Sequence, residues 1–172
     1  MTKQDDAAAI HTVYLGLGSN IGDRDANLSA ALRALAAIVT VERVSSVYDT
    51  APMLYTNQPR FRNLVCQATT SLSPGALLHA AKEIERQLGR SSGPRYGPRV
   101  IDIDLLLYDR LILNTPTLTI PHPRMPERVF VLAPLAELAP SLTHPVLGET
   151  MAELLLRAPE SDVERVGPLP QP

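Results

Sequence analysis

Residues 95–107 have the sequence RYGPRVIDIDLLL, and this stretch decides how the chain folds. A run of Val, Ile and Leu after Gly-Pro is typical of a buried central strand. Because strand side chains alternate between faces, Asp102 and Asp104 should project from one face and Ile103 from the other. Two carboxylates on an apolar strand are costly unless a cation or hydrogen-bond donors meet them. The sequence therefore predicts a partner for this carboxylate pair.

The segments before this aspartate strand predict an α+β domain. Period-2 and helical patterns alternate in the order strand, helix, strand, strand, helix, at 12–17, 27–39, 41–48, 61–70 and 73–88. With the aspartate strand, they form the βαββαβ pattern of a ferredoxin-like antiparallel sheet that has both helices on one face. An extra hairpin partner at 111–113 and helical pieces at 127–137 and 150–156 follow.

The glycines after the first strand permit two interpretations. Gly16, Gly18 and Gly22 suggest a phosphate-binding loop, but their spacing does not match a dinucleotide fingerprint, and no Lys completes a Walker loop. We interpret Gly18–Asp23 as a tight strand-to-helix turn, with Asp23 or Asp25 capping the helix.

The whole chain of 172 residues fits a single domain (1–172), with a core at about 12–158 and flexible tails at 1–11 and 159–172. The net charge of -2 and the 4% aromatic content without Trp argue against nucleic-acid binding. No stretch has the length of a membrane span or a signal peptide, so we expect a cytoplasmic protein without membrane contact. Cys66 is expected to be a buried structural thiol, and we expect a monomer.

The aspartate pair has candidate partners in the loop that precedes it. Arg90, Arg95 and Arg99 lie in this Gly/Pro-rich loop, and arginines there suit phosphate oxygens. Carboxylate oxygens without nearby Cys favour Mg²⁺, which uses one or two carboxylates together with substrate phosphates. Asp102 and Asp104 therefore suggest a phosphoryl-transfer centre.

Two alternatives remain open from these residues. The chain could be a ferredoxin-like ligand-binding or regulatory module, in which Asp102 and Asp104 form structural ion pairs with Arg95 and Arg99. It could also be an ordinary Mg²⁺-dependent kinase that releases ADP.

Taken together, the motifs resemble those of the 6-hydroxymethyl-7,8-dihydropterin pyrophosphokinase family. The longest match runs from Arg95 through Gly97-Pro98-Arg99 to Asp102-Ile103-Asp104-Leu105-Leu106. Further matches, in family order over about 12–140, are Leu17-Gly18-Ser19-Asn20, Thr50-Ala51-Pro52, Gln58-Pro59 with Phe61 and Asn63, Gly89-Arg90, and Pro121-His122-Pro123.

The resemblance implies ATP-dependent pyrophosphoryl transfer to 6-hydroxymethyl-7,8-dihydropterin, with AMP as the other product, in tetrahydrofolate biosynthesis. It implies two Mg²⁺ ions on Asp102 and Asp104, and a catalytic set of these two residues with Arg90 and Arg99. The pterin would lie between Phe61 and Phe130. Its edge would contact Asn63 and the segment containing Thr50, Pro52 and Met53.

The resemblance also implies nucleotide contacts, although the residues alone suggest that Glu85 is a solvated helix charge. The nucleotide-binding positions are Glu85, Arg90, Tyr96, Arg99, Leu105, Thr119, His122 and Arg128. The chain departs from the family pattern at Ser91-Ser92, where members carry basic residues, and at Tyr96 and Pro123, where some carry Trp and an aromatic residue. These departures concern loop closure and ATP stacking, whereas the metal pair is retained.

Overall fold

The structure of the protein is a computed structural model, which describes residues 8–53, 56–89 and 98–170. These residues form eight strands and four α-helices, with a short 3-10 helix at Met125–Glu127. The strands are β1 His11–Ser19, β2 Thr40–Val44, β3 Val47–Thr50, β4 Phe61–Thr70, β5 Asp102–Tyr108, β6 Leu113–Asn114, β7 Thr119–Ile120 and β8 Val163–Gly167. The helices are α1 Arg24–Ala36, α2 Pro74–Gln87, α3 Val129–Leu138 and α4 Met151–Arg157.

Six of the strands form one antiparallel sheet in the order β5-β1-β4-β3-β8, with β2 also paired to β4. The aspartate strand β5 lies beside β1, and β1 separates it from β4. This order is that of a ferredoxin-like core, so the predicted fold class is confirmed.

The two faces of the sheet carry separate apolar clusters. Leu15 and Leu17 of β1 pack with α1 and α2 on one face, whereas Tyr14 packs with α3 and α4 on the other. Because strand positions alternate, Gly16 and Gly18 face the α3 side, which leaves room on that face. The two core helices share one face, as predicted.

Side-chain caps fix where the helices begin. The Asp23 side chain accepts a hydrogen bond from the amide of Ala26, so α1 begins three residues before the predicted position. The Ser73 hydroxyl caps α2 with Pro74 in the first turn, as the sequence indicates. None of the helices in the described ranges is long and apolar enough to cross a bilayer.

The predicted strand 41–48 is two strands, β2 and β3, separated at Ser45-Ser46. Both strands pair with β4. At the break, the Ser45 amide donates to the Val65 carbonyl (2.9 Å) and the Val65 amide donates to the Ser45 hydroxyl (3.0 Å). A side chain thus takes the place of one backbone acceptor, and this interrupts the regular ladder.

The predicted hairpin partner of the aspartate strand is also wrong. Leu113 and Asn114 pair with Ile120 and Thr119 in a separate two-stranded sheet, and not with β5. The chain turns away at Asp109, which adopts φ 45° and accepts a hydrogen bond from the Thr12 amide through its side chain. The outer edge of β5 contacts helix α2 at Ile103, and farther along the strand the Leu106 carbonyl accepts a hydrogen bond from the His122 amide (2.9 Å).

The tail 159–172, expected to be flexible, contains strand β8. Val163–Gly167 pairs with β3 and forms one edge of the main sheet. The segment has little apolar pattern, and its pairing depends on backbone hydrogen bonds that no local pattern reveals.

Candidate active site

A cavity of about 260 Å³ lies on the α3 side of the sheet, above β1, β4 and the start of β5. It brings together ten of the residues singled out in the sequence. These are Thr50, Met53, Phe61, Asn63, Arg99, Asp102, Asp104, His122, Arg128 and Phe130.

The floor of the cavity consists of backbone at Gly16 and Gly18. Gly18 pairs with Asn63 on one side and with Asp102 on the other. A Cβ at Gly18 would lie 2.5 Å from Oδ1 of Asn63, a distance that real side chains do not tolerate. Gly18 therefore belongs to the strand and to the site, and its assignment to a turn is wrong.

Asp102 and Asp104 project into the cavity from the same face of β5, two residues apart. Burial raises the pKa of Asp104 to about 6, and the charge of Asp102 adds to the effect. In the described part of the chain, no group of three or more His, Cys, Asp or Glu side chains surrounds a common point. A hard cation that takes its remaining ligands from a substrate fits this donor set.

One wall of the cavity combines aromatic and amide groups. The Asn63 amide donates to the Thr50 hydroxyl over 2.8 Å, and both residues are buried. Phe61 and Phe130 both line the cavity, and the Arg128 guanidinium lies 5.6 Å from the centre of the Phe130 ring. Such a wall suits a flat ring with polar edges.

Asn20 ties this wall to the charged side of the cavity. Its Nδ2 donates to Oε1 of Gln58 (2.9 Å) and to the carbonyl of Pro59 (3.1 Å). Its Oδ1 accepts from the Arg99 amide (2.7 Å), and its own amide donates to the Arg99 carbonyl (3.0 Å). The buried Asn20 thereby sets where Arg99 stands relative to the loop before Phe61.

His122 faces the cavity as a neutral imidazole. Burial lowers its pKa to about 4, and the positive charge of Arg128 acts in the same direction. Nδ1 lies 3.2 Å from the Arg124 amide, which donates to it, so the ring proton resides on Nε2. A neutral donor at this place can bind a phosphate oxygen at physiological pH.

Glu85 lies outside this cavity, at the outer edge of β5. Only 1% of it is exposed. Its Oε1 accepts from the Ile103 amide (2.7 Å) and from Nζ of Lys82 (3.0 Å). Lys82 in turn lies 3.3 Å from the Ile103 carbonyl. The interpretation of Glu85 as a solvated charge is therefore wrong, because it satisfies the backbone of the aspartate strand.

The remaining predicted nucleotide residues divide into two groups. Leu105 is buried on β5, and Thr119 lies on β7, whose hairpin follows that strand. Arg90 and Tyr96 lie outside the described residues.

Among the predicted pterin residues, Pro52 does not line the cavity, whereas the next residue, Met53, does.

The sequence interpretation assigned no site role to Gly16, Gln58 or Lys82, although Gln58-Pro59 is one of the family matches. The signal for the glycine was the alternation Leu15-Gly16-Leu17-Gly18, which places apolar side chains on one face and none on the other. No local pattern reveals what Gln58 and Lys82 contact, since their partners Asn20 and Ile103 lie 38 and 21 residues away in sequence.

The chain is similar to pyrophosphokinases of folate synthesis. A family model described as 7,8-dihydro-6-hydroxymethylpterin-pyrophosphokinase (HPPK) matches residues 14–140. The 2-amino-4-hydroxy-6-hydroxymethyldihydropteridine pyrophosphokinase of Bacillus subtilis is 50% identical over 127 residues, which cover 73% of this chain and 76% of that protein. The Aquifex aeolicus protein of the same name is 41% identical over 83% of this chain and 89% of its own length.

Longer proteins also match. The folic acid synthesis protein FOL1 of Dictyostelium discoideum is 40% identical over 95% of this chain, but the chain spans only 25% of its length. The crystal structure of wild-type Plasmodium falciparum HPPK-DHPS with pterin and p-hydroxybenzoate superposes with a TM-score of 0.71 at 17% identity. It covers 90% of this chain and 42% of that one, and at this identity it supports the fold alone. By its match to the family model and its identity to the two bacterial proteins, this chain belongs to the HPPK family.

Proposed function

We propose that the chain transfers the pyrophosphoryl group of ATP to 6-hydroxymethyl-7,8-dihydropterin, giving AMP and the pterin diphosphate for tetrahydrofolate biosynthesis. The observation that carries this proposal is the single cavity that holds both a carboxylate pair and an aromatic-amide wall. Family membership and the names of the bacterial relatives support the same reaction.

The carboxylate pair would hold two Mg²⁺ ions. The fit rests on Asp102 and Asp104, whose shared face and mutual repulsion favour a cation between them and the substrate phosphates. When bound there, Mg²⁺ would neutralise phosphate charge and orient the transferred group.

The aromatic-amide wall would bind the pterin. Phe61 and Phe130 would stack on its ring, while Asn63 and Thr50 would hydrogen-bond to its polar edge together with the backbone at Pro52 and Met53. The Asn63–Thr50 hydrogen bond fixes the direction of the amide before the ligand arrives. A ring with the wrong donors would leave these buried groups unpaired, so the wall would discriminate between heterocycles.

The nucleotide would lie between the cavity and the outer edge of β5. Arg99, His122 and Arg128 would bind its phosphates from within the cavity, and Arg90 and Tyr96 would approach from the preceding loop. Glu85, Leu105 and Thr119 would surround the base and sugar beside the edge strand.

In the reaction, the hydroxymethyl oxygen would attack the β-phosphorus of ATP in line with the bond to the leaving AMP. A new O–P bond forms, the bond between the β-phosphorus and the α/β-bridging oxygen breaks, and the hydroxyl proton leaves to solvent. The side chains of Arg99 and Arg90 would stabilise charge on the transferred group. Positioning and charge neutralisation suffice for this chemistry, which needs no nucleophilic side chain.

The test is an assay with ATP, Mg²⁺ and the reduced pterin that separates the nucleotides formed. We expect AMP and pterin diphosphate in equal amounts. ADP would indicate an ordinary kinase instead, and ligand binding without turnover would indicate a regulatory module. Omission of Mg²⁺ is the matched control and should stop turnover.

We also propose that the chain acts as a monomer in the cytoplasm, where ATP is available. Light scattering of the purified chain measures the oligomeric state, and a dimer mass would contradict the first part of this proposal.

A further inference from the structure

We propose that Asp162 and Arg60 are positioning residues for the pterin, because they brace, from outside the cavity, the place where Thr50 of β3 pairs with Phe61 of β4. The inference rests on the proposed function and adds a role for the C-terminal strand. Neither residue lines the cavity.

The first side of the pocket is the end of β3. Thr50 pairs with Val163 of β8, and the Ala51 amide donates to the Asp162 carbonyl over 3.1 Å. The C-terminal segment thus continues the sheet directly behind Thr50, whose hydroxyl receives the Asn63 amide. The place where the chain leaves β3 is set by this pairing.

The second side of the pocket begins at Phe61, and Arg60 immediately precedes it. The Asp162 carboxylate accepts two hydrogen bonds from the Arg60 guanidinium, from Nη1 at 2.6 Å and from Nη2 at 3.1 Å. Nε of Arg60 donates to the carboxylate of Asp49, one residue before Thr50. Asp162 therefore contacts one side of the pocket through its backbone and the other through its side chain. Such a two-point, planar contact fixes direction as well as distance.

The ion pairs around Asp162 explain why its removal should alter the pocket and not the stability of the whole protein. Asp49 is 15% exposed at its side chain and takes part in several ion pairs in this cluster. Three arginines and three aspartates compose the cluster: Arg24, Arg60, Arg62, Asp25, Asp49 and Asp162. Removal of Asp162 leaves Arg60 paired with Asp49. Since the Asp162 side chain is 67% exposed, its ion pair should add little to global stability. Its effect should appear in the geometry of the pocket.

The test uses the full chain and the variants Asp162→Ala and Arg60→Ala. We expect each to raise the pterin KM roughly tenfold, because small displacements of recognition groups are costly, while the ATP KM stays within about twofold. Pterin affinity from calorimetry should fall by the same factor. The double variant should lose no more than Arg60→Ala alone, since Arg60→Ala already removes the Arg60–Asp162 pair together with the contacts of Arg60 to Asp49.

Two controls separate positioning from folding. Asp162→Glu keeps the carboxylate and should restore most of the affinity, and Glu164→Gln removes a neighbouring charge on β8 and should change nothing. Thermal unfolding of all variants should stay close to that of the unaltered chain.

An unchanged pterin KM in both alanine variants would overturn the proposal, as would an equal loss for ATP and pterin. The unaltered chain is assayed before the variants. If it forms no AMP, the proposed function is refuted, independently of the role of Asp162 and Arg60. An active chain with unaffected variants refutes only the role of Asp162 and Arg60.

Discussion

Gly16 and Gly18 have no side chains, and this leaves the space above β1 that the site occupies. Gly18 lies between Asn63 and Asp102 in adjacent strands, so any side chain there would stand between the amide that would read the pterin and the carboxylate that would bind metal. The site is thus built into the middle of the sheet.

We predict that Gly18→Ala weakens pterin binding by roughly a hundredfold, because the new methyl group would lie 2.5 Å from Oδ1 of Asn63 and displace it. It should also destabilise the fold by about 1–3 kcal/mol through overpacking. Calorimetry with the pterin and urea unfolding measure the two effects.

The control for this change is Gly75→Ala in α2, where an added Cβ meets nothing within 4 Å. That variant should bind the pterin as well as the unaltered chain. Equal pterin affinity in the Gly18 variant would contradict the assignment of Asn63 to the pterin.

We predict that Asp102→Ala and Asp104→Ala each reduce Mg²⁺-dependent turnover by about a thousandfold or more, since each removes half of the proposed protein ligands. Circular dichroism should show an unchanged fold. Normal turnover in both variants would refute the metal site.

Much of the lining of the cavity could be predicted from sequence. The i and i+2 spacing put both aspartates on one face, and the family resemblance implied Asn63, Phe61 and Phe130, which all line the cavity. The raised pKa of Asp104 and the contacts of Asn20 could not be predicted, because both depend on groups brought together by the sheet.

At the scale of elements, β5 is an edge strand whose outer side is satisfied at Ile103 by helix α2. Glu85 and Lys82 contact the amide and the carbonyl of Ile103, the residue between the two aspartates. The helix therefore fixes the height at which both carboxylates enter the cavity.

We predict that Glu85→Ala destabilises the chain by about 1–3 kcal/mol, because the buried Ile103 amide loses its acceptor. The same variant should raise the ATP KM several-fold, and Glu85→Gln, which retains an acceptor oxygen, should recover much of the stability. Urea unfolding and steady-state kinetics measure these effects.

Glu83→Ala on the same helix is the matched control. Glu83 forms an exposed pair with Arg86, so its loss should leave the free energy of unfolding nearly unchanged. If both alanine variants cost the same, the role of Glu85 at the β5 edge is wrong.

The order of the core elements followed from periodicity, whereas three details did not. The break at Ser45-Ser46 depends on a side-chain hydrogen bond to Val65, and the 113–120 hairpin forms because Asp109 turns the chain away from β5. Strand β8 forms because its backbone pairs with the free edge of β3. The first and the last depend on contacts between residues far apart in sequence, which local propensity does not encode.

At the scale of the whole molecule, the stability of the metal-free protein should depend on pH through two buried groups in the cavity. These two groups act in opposite directions. Asp104 has a folded pKa of about 6, above its unfolded value, so the folded chain holds the proton longer and stability falls as pH rises from about 4 to 6. His122 has a folded pKa of about 4, below its unfolded value, so its contribution rises over a similar window.

We predict that Asp104→Asn makes the metal-free chain more stable at pH 7.5 by roughly 1–3 kcal/mol, with the difference vanishing near pH 4. Urea unfolding in the presence of EDTA at both values measures this. A gain of equal size at pH 4 would show that the charge of Asp104 is not its cause. His122→Gln should change the dependence of the free energy of unfolding on pH in the opposite direction.

The glycine floor has a consequence for how ligands and folding are linked. A pocket made of loops can open while the sheet stays intact, but a pocket whose base is the central strand β1 exists only while that strand is paired on both sides. Pterin binding should therefore slow hydrogen exchange at the slowest-exchanging amides of the protein, because these amides exchange only when the whole sheet unfolds. Release of bound pterin would then accompany global unfolding.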